Sequence, residues 1–277
     1  MNPDLESLRP DGSLHAAQKV MMAPKSPGAQ ERTIWISGFN PVSEAIRSGT
    51  VQIFELIVAR SDPRIEELKV RAAARSIPVR AEHRESMTRR LGHPHHQGIA
   101  ALASRFPTLD LESLLERPLA DREPLLILDS IQDPQNLGAV IRSGCFLGAK
   151  GVLLPRDRAA QVTETVVRIA AGGTSHVPLV QVTNLVRAME ALKDSGLWIA
   201  GLDIQGEVRI HDADLTVPLA MVLGNEQKGL RPLVRRECDL LVHIPAHGPI
   251  DSLNAATAGA LALAELQRQR SEKSRRS

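Results

Sequence analysis

The sequence has few aromatic residues, two cysteines and no long apolar run. Aromatic residues make up 2% of the 277 residues and tyrosine is absent, which argues against a nucleic-acid platform of stacked rings. Cys145 and Cys238 lie far apart within apolar patterns, so we interpret them as buried, reduced thiols. No stretch of 18 apolar residues occurs, and the N-terminus lacks the apolar region of a signal peptide. We therefore predict a cytoplasmic protein that does not span a membrane.

Several common ligand-binding signatures are also missing. The segment MVLGNEQKGLRP has two glycines at P-loop spacing, but no Gly-Lys-Ser or Gly-Lys-Thr occurs, so it is not a triphosphate cradle. No G-x-G-x-x-G follows a strand, which argues against a dinucleotide-binding oxidoreductase. His93, His95 and His96 suggest a metal, yet no Cys or carboxylate lies at ligand spacing, and we predict no metal. No serine lies in a G-x-S-x-G motif, which excludes the common serine hydrolases.

The sequence does contain a regular alternation of strands and helices, in two blocks. Residues 1–31 lack periodicity and predict a flexible tail. Residues 32–105 predict a small α/β unit, 106–124 a linker with a short helix, and 125–270 a larger α/β unit; 271–277 form a basic tail. Six almost continuously apolar strands in the larger unit indicate a parallel sheet covered on both faces, in a doubly wound fold.

Polar residues follow three of these strands, at the edge where open parallel sheets bind their ligands. In DPQNLGAVIRSG, Asn136 lies at a helix start and Arg142 six residues later, and we expect both on one helix face. LGNEQKGL places Glu226 at a glycine-lined strand end. IPAHGPIDSLNAATA brings Ser252 and Asn254 to the start of a last helix rich in small residues. Taken singly, each feature is also explained by helix capping or an ordinary turn.

Taken together and in this order, the three segments resemble the signature motifs of the SpoU/TrmH branch of the SPOUT methyltransferases. The resemblance covers 125–270, and HHQGIAA is similar to a segment of RlmB-like 23S rRNA guanosine 2'-O-methyltransferases. It implies a C-terminal SPOUT domain with a parallel sheet and a deep trefoil knot, an exception to the usual absence of knots. It also implies a preceding L30e-like RNA substrate-binding domain over 32–105. Two positions depart from the family pattern, Ala255 and His247.

The resemblance also implies a reaction, methyl transfer from S-adenosylmethionine to the 2'-hydroxyl of a ribose in RNA. Carried over by position, the catalytic residues are Asn136, Arg142, Glu226, Ser252 and Asn254. The cofactor-binding residues are Leu223, Gly224, Ile244, Pro245 and Leu253. Because a guanidinium keeps its proton in proteins, we expect Arg142 to clamp a phosphate and the 2'-oxygen instead of acting as the base.

The family resemblance further implies a homodimer with the site near its interface, and RNA as the partner. Ribosomal RNA, at a guanosine of 23S rRNA, is the expected substrate, because short tRNA-specific members usually lack the first unit. Methylation of tRNA and a catalytically silent RNA-binding adaptor remain alternatives. Residues 32–105 carry 12 Lys and Arg against 7 Asp and Glu, a net +5, whereas the whole chain is +2. Since phosphate contacts supply affinity without base identity, we predict that 32–105 binds ribosomal RNA.

Overall fold

The computed structural model describes residues 33–117, 123–157, 159–225 and 227–276. The predicted tail 1–31 and Glu226 lie outside these described residues. Two β-sheets, one of four strands and one of eight, organise the described chain. No helix in the described stretches is both long and apolar enough to cross a bilayer.

The first unit contains the four-stranded sheet. Its elements in chain order are β1 (Thr33–Ser37), α1 (Phe39–Ser48), β2 (Ile53–Val58), α2 (Pro63–Ala74), β3 (Val79–Ala81), α3 (Arg84–Leu91) and β4 (Ile99–Ser104). The strand order is β1-β4-β2-β3, with β4 antiparallel to both of its neighbours and β2 parallel to β3. Helix ends follow the sequence signals: Asp62 accepts bonds from Arg64 N and Ile65 N ahead of Pro63, and Gly49 ends α1 with φ 69°. The small α/β unit is confirmed.

The second unit contains the eight-stranded sheet. Its strands are β5 (Thr108–Leu109), β6 (Leu125–Leu128), β7 (Gly151–Pro155), β8 (Leu179–Val182), β9 (Trp198–Leu202), β10 (Val208–Arg209), β11 (Leu219–Leu223) and β12 (Leu240–His243). Its helices are α4 (Leu111–Leu115), α5 (Pro134–Phe146), α6 (Glu164–Ala170), α7 (Leu185–Asp194), α8 (Pro232–Glu237) and α9 (Ala255–Arg276). The order is β10-β12-β9-β11-β6-β7-β8-β5, and every pair is parallel.

The central strands of this sheet are buried on both faces, as the continuous apolar runs predicted. All residues of β6, β7 and β11 are buried. Successive residues of β6 enter different cores: Leu126 and Leu128 pack in one cluster, Leu125 and Ile127 in the other. This alternation is the period of two expected of a strand covered by helices on either side. The doubly wound parallel fold is therefore confirmed, and the trefoil knot stays an expectation from the family.

Two edge strands and the end of the last helix differ from the sequence interpretation. The stretch 106–124, predicted as a linker, contributes β5, which pairs with β8 at one edge of the large sheet. At the opposite edge, β10 pairs with β12. Strands of two residues are too short to leave a periodic pattern. At the C-terminal end, α9 continues to Arg276, so 271–276, predicted as a basic tail, extend the helix, as expected for its good helix formers.

The two units contact each other through α6 and the 3-10 turn that follows it. Trp35 N of β1 donates to Glu164 Oε1 at 3.1 Å, and Val167 is buried in the core of the first unit. Glu44 Oε2 and His176 Nε2 lie 2.6 Å apart. The hydrogen bond from Arg47 and that from His176 lower the pKa of Glu44, which keeps this carboxylate charged at the contact.

The same α6 packs very closely against α5. Gly138 makes this crossing possible, because an added Cβ would lie 2.8 Å from Ile169 Cβ and 2.9 Å from Val166 O. Glycine at position 138 therefore allows the close approach of a second helix. The first unit is thus joined through α6 to the helix that carries Asn136 and Arg142.

Candidate active site

The three polar segments meet at the carboxyl edge of the large sheet. They follow β6, β11 and β12. Strands β6 and β11 are neighbours in the sheet, and β9 separates β11 from β12. After β6 the chain turns into α5, where Asp133 Oδ1 accepts Gln135 N at 2.8 Å and Pro134 occupies the first turn. Parallel strands therefore bring together residues more than 100 positions apart in sequence.

A direct hydrogen bond joins the first segment to the third. Asn254 Nδ2 donates to Asn136 Oδ1 at 2.7 Å, and Asn136 is buried, 7% exposed. Asn254 Oδ1 accepts Ala256 N at 2.9 Å and Thr257 N at 3.3 Å, so it caps α9. Because that oxygen faces two N–H donors, the nitrogen must face Asn136, which fixes the orientation of both amides.

A cavity of about 510 Å³ opens beside this bond, between the segments that follow β11 and β12. Leu223, Gly224, Ile244 and Leu253 line it, together with Ser252. Four of the five predicted cofactor-binding residues are thus brought together. Pro245, the fifth, is half-buried and does not line the cavity. The volume falls within the roughly 300–1,000 Å³ typical of small-molecule sites.

The second segment forms a tight turn that closes one wall of this cavity. Asn225 and Gly229 exchange two backbone bonds of 3.0 and 2.8 Å, and Asn225 Oδ1 accepts Gln227 N and Lys228 N. The turn packs on Gly224, where an added Cβ would lie 2.4 Å from the Gly229 carbonyl carbon. The backbone of this loop therefore requires glycine at position 224, whether or not a ligand is bound. The sequence interpretation missed Asn225, although asparagine is a frequent turn former.

A buried ion pair, also not predicted, holds this turn to the end of β6. Asp129 is fully buried; its Oδ2 accepts Arg231 N at 2.7 Å and its Oδ1 accepts Arg231 Nε at 2.5 Å. On the other side of the cavity, Arg235 Nε donates to Asp203 Oδ2 at 3.0 Å. A carboxylate directly after an apolar strand, as in LLILD, is the signal that could have identified Asp129, since a buried charge needs a partner.

Arg142 lies apart from these residues within a single chain. Its side chain is exposed, lines no cavity described in this section, and makes no hydrogen bond or ion pair with any described residue. The prediction that it shares a helix face with Asn136 is wrong, because six residues turn an α-helix through roughly 600°, which leaves the two about 120° apart. Phe146, one turn further along α5, is 88% exposed, so Arg142 and Phe146 share an outward face.

The two cysteines take no part in this site. Burial, followed by the charge of Asp239, raises the pKa of Cys238 to about 12. Burial and the charge of Glu44 raise the pKa of Cys145. Both thiols are free and half-buried, and thiols of raised pKa are poor nucleophiles at neutral pH. The sequence interpretation of buried thiols is therefore met only in part, because both side chains are half-buried.

The histidines of GHPHHQG serve the packing of the first unit. His96 is fully buried, with Nε2 2.9 Å from Thr88 Oγ1, and His93 Nε2 lies 3.3 Å from Ser37 Oγ. Burial is the main cause that lowers the pKa of each. Across the described stretches, no group of three or more His, Cys, Asp or Glu side chains is placed to hold a metal.

Comparison with known proteins identifies the family. The model of the SpoU rRNA methylase family matches residues 123–264, more than half of the chain. A second model, described as RNA 2'-O ribose methyltransferase substrate binding, matches residues 35–109. The chain therefore belongs to the SpoU rRNA methylase family, and the resemblance inferred from the three segments is confirmed.

Individual relatives cover most of the chain. An uncharacterized tRNA/rRNA methyltransferase of Mycobacterium avium is 38% identical over 92% of this chain and 84% of its own. The 23S rRNA (guanosine-2'-O-)-methyltransferase RlmB of Xanthomonas axonopodis is 37% identical over 85% of this chain and 96% of its own. The crystal structure of the SpoU methyltransferase AviRb of Streptomyces viridochromogenes with AdoMet superposes with a TM-score of 0.74 at 27% identity, covering 90% of this chain and 95% of that one.

Proposed function

We propose that this protein transfers a methyl group from S-adenosylmethionine to a ribose 2'-hydroxyl of ribosomal RNA, at a guanosine of 23S rRNA, in the cytoplasm. The observation that carries the proposal is the Asn254–Asn136 hydrogen bond beside the 510 Å³ cavity. It unites the first and third family segments next to a space of cofactor size. The RlmB relative, named for this reaction, and the AdoMet-bound neighbour support the choice.

The cavity has surfaces suited to S-adenosylmethionine. Leu223, Ile244 and Leu253 give apolar surface for a flat purine, and Ser252 and Asp203 give polar groups for hydroxyl and amino groups. Gly224 and Gly229 also line the cavity, and without side chains they leave backbone groups at its wall. When bound, S-adenosylmethionine supplies a methyl group on a cationic sulfur, which is already electrophilic.

The residues of the chain then have to orient the hydroxyl and help to remove its proton. We assign the orientation to Asn136 and Asn254, whose amides hold each other fixed. Ser252, on the cavity wall, binds the substrate or the loop. Arg142 binds the adjoining phosphate and stabilises negative charge on the 2'-oxygen. Glu226, which lies outside the described residues, is assigned to hold that arginine or the ribose.

The outward position of Arg142 supports a homodimer with the site near its interface. Phe146, on the same face of α5, and Leu261 on α9 are 88% and 46% exposed. Apolar surface of this kind is what a subunit contact covers. The small residues of α9 serve at least partly inside the chain, since a Cβ on Gly259 would lie 2.5 Å from Leu223 Cδ1. The dimer is thus proposed through the exposed faces of α5 and α9.

The first unit is proposed to supply RNA affinity. Its cationic excess is partly free, because Arg84, Arg89 and Arg105 form no ion pair with any described residue. Its contact with α6 fixes it relative to the catalytic unit. Such cations bind phosphates without reading sequence, so the choice of nucleotide rests on both units.

Mapping of ribose methylations in RNA from a deletion strain tests the proposal. We expect the loss of one 2'-O-methylguanosine in 23S rRNA and its return with the wild-type gene, but not with Arg142→Ala. Loss of a tRNA methylation instead would favour the tRNA alternative. An unchanged methylation map, together with RNA binding by the purified protein, would favour the silent adaptor.

A further inference from the structure

A second cavity, of about 680 Å³, adjoins the first across the 225–229 turn. Asn136, assigned above to the ribose hydroxyl, forms part of its wall. Two cationic side chains, Arg231 and Lys228, face it together with the carboxylate of Asp133. Asp133 Oδ1 already accepts Gln135 N. Five lining residues, Ser130, Gln132, Asn136, Asn225 and Gln227, carry polar uncharged side chains.

Arg231 is held in this cavity by one end of its guanidinium only. Its Nε donates to the buried Asp129 at 2.5 Å, and its backbone N donates to the other carboxylate oxygen at 2.7 Å. No Nη atom of Arg231 has a partner among the described residues, and the side chain remains 45% exposed. A guanidinium carries five N–H donors. Asp129 therefore fixes the direction of the side chain while the Nη edge stays available.

We propose that Arg231, oriented by Asp129, binds a backbone phosphate of the substrate RNA in this second cavity, beside the ribose that is methylated. A fixed guanidinium edge with free N–H groups matches the geometry of phosphate oxygens. The inference rests on the proposed function, since it places the RNA strand relative to Asn136 and the cofactor cavity. It also accounts for a fully buried carboxylate that lines neither cavity.

Substitution by lysine separates this role from simple support of the fold. In Arg231→Lys the charge is kept, but the single ammonium group satisfies either Asp129 or the phosphate. The fold should then be retained while RNA binding weakens. Arg231→Gln removes the charge altogether. Arg236 gives a matched control, because it is an exposed arginine of α8 that lines neither cavity.

The experiment compares the full-length wild type, Arg231→Gln, Arg231→Lys and Arg236→Gln. Methylation of a 23S rRNA fragment gives the KM for RNA, and calorimetry gives the Kd for S-adenosylmethionine. Filter binding at several salt concentrations gives the salt slope, which is the change in the logarithm of RNA affinity with the logarithm of salt concentration. We expect both Arg231 variants to raise the RNA KM roughly 10-fold, the loss of one charged hydrogen bond, and to reduce the slope by about one. The cofactor Kd of the Arg231 variants should stay within about twofold of wild type, because Arg231 does not line the cofactor cavity. Arg236→Gln should match wild type in all three measurements, because Arg236 lines neither cavity and forms no bond to Asp129 among the described residues.

Two results would overturn the inference. One is a folded Arg231→Lys with the RNA KM and salt slope of the wild type. The other is a parallel rise of RNA KM and cofactor Kd with an unchanged slope, which would make Arg231 a support of the loop alone. If the wild type transferred no methyl group to RNA, the proposed function would fail, while the salt slopes would still decide whether Arg231 binds phosphate.

Discussion

Removal of the Asn254 side chain tests the bond that joins the first and third segments. Asn254→Ala deletes two interactions at once. The cap of α9 loses its acceptor for Ala256 N and Thr257 N, and Asn136 Oδ1 loses the hydrogen bond from Asn254 Nδ2. No other part of the chain needs to move, because alanine fits wherever asparagine does.

The expected cost follows from these two losses. An N-cap asparagine contributes about 1 kcal/mol, and the hydrogen bond to the buried Asn136 amide contributes about 0.5–1.5 kcal/mol. Together they give about 1.5–2.5 kcal/mol. Asn254 itself is exposed, so water reaches the vacated position, and we expect the lower half of that range, about 1.5–2 kcal/mol.

The assay is urea unfolding, with Asn184→Ala as the matched control. Asn184 caps α7 by accepting Arg187 N at 3.2 Å, is exposed, and makes no further side-chain bond among the described residues. Its removal should cost about 1 kcal/mol, the cap alone. A double-mutant cycle with Asn136→Ala should give a coupling of about 0.5–1.5 kcal/mol. Equal costs for Asn254→Ala and Asn184→Ala, with no coupling to Asn136, would refute the reasoning.

Four further predictions concern the chemistry, the cofactor, pH and RNA affinity. Arg142→Ala should abolish methyl transfer and leave cofactor affinity near normal by calorimetry; near wild-type turnover would contradict its role. Gly224→Val should weaken S-adenosylmethionine binding at least 10-fold, because its Cβ meets the Gly229 backbone at 2.4 Å; an unchanged Kd would count against this pocket. Hydrogen bonds from Arg268 lower the pKa of Glu265 to about 2, so this carboxylate stabilises the fold above about pH 4.5 and loses that effect as the pH falls toward 2. The acid unfolding of Glu265→Gln should lack this pH-dependent contribution to stability. Identical pH profiles for Glu265→Gln and the wild type would contradict this prediction. A 107–277 fragment, which keeps β5, should bind cofactor normally but show a raised KM for RNA that high RNA concentration offsets; equal RNA affinities would leave the first unit without this task.

Local signals in the sequence were sufficient where the determining contacts are local. Asp62 and Pro63 start α2 and Gly49 ends α1, which are the positions that an N-cap carboxylate, a first-turn proline and a C-terminal glycine favour. The six long strands of the large sheet follow their apolar runs because burial on both faces leaves few polar positions. The placement of the three polar segments at one edge follows from parallel strands alone.

Contacts over long sequence distances were beyond those signals. Asp129 and Arg231 are 102 residues apart, and nothing in either neighbourhood names the other as its partner. The Asn136–Asn254 bond was expected only as a shared site, not as a direct contact. The relation of Asn136 to Arg142, in contrast, was available from helical pitch, which places them on different faces.

Analysis of the methylated product tests the central claim most directly. Purified protein, S-adenosylmethionine and a 23S rRNA transcript are incubated, and the RNA is digested to nucleosides for mass spectrometry. The account predicts 2'-O-methylguanosine as the product, and none from a transcript with 2'-deoxyguanosine at the modified position, because the ribose hydroxyl is the acceptor. A methyl group on a base, or its persistence on the deoxy transcript, would contradict it.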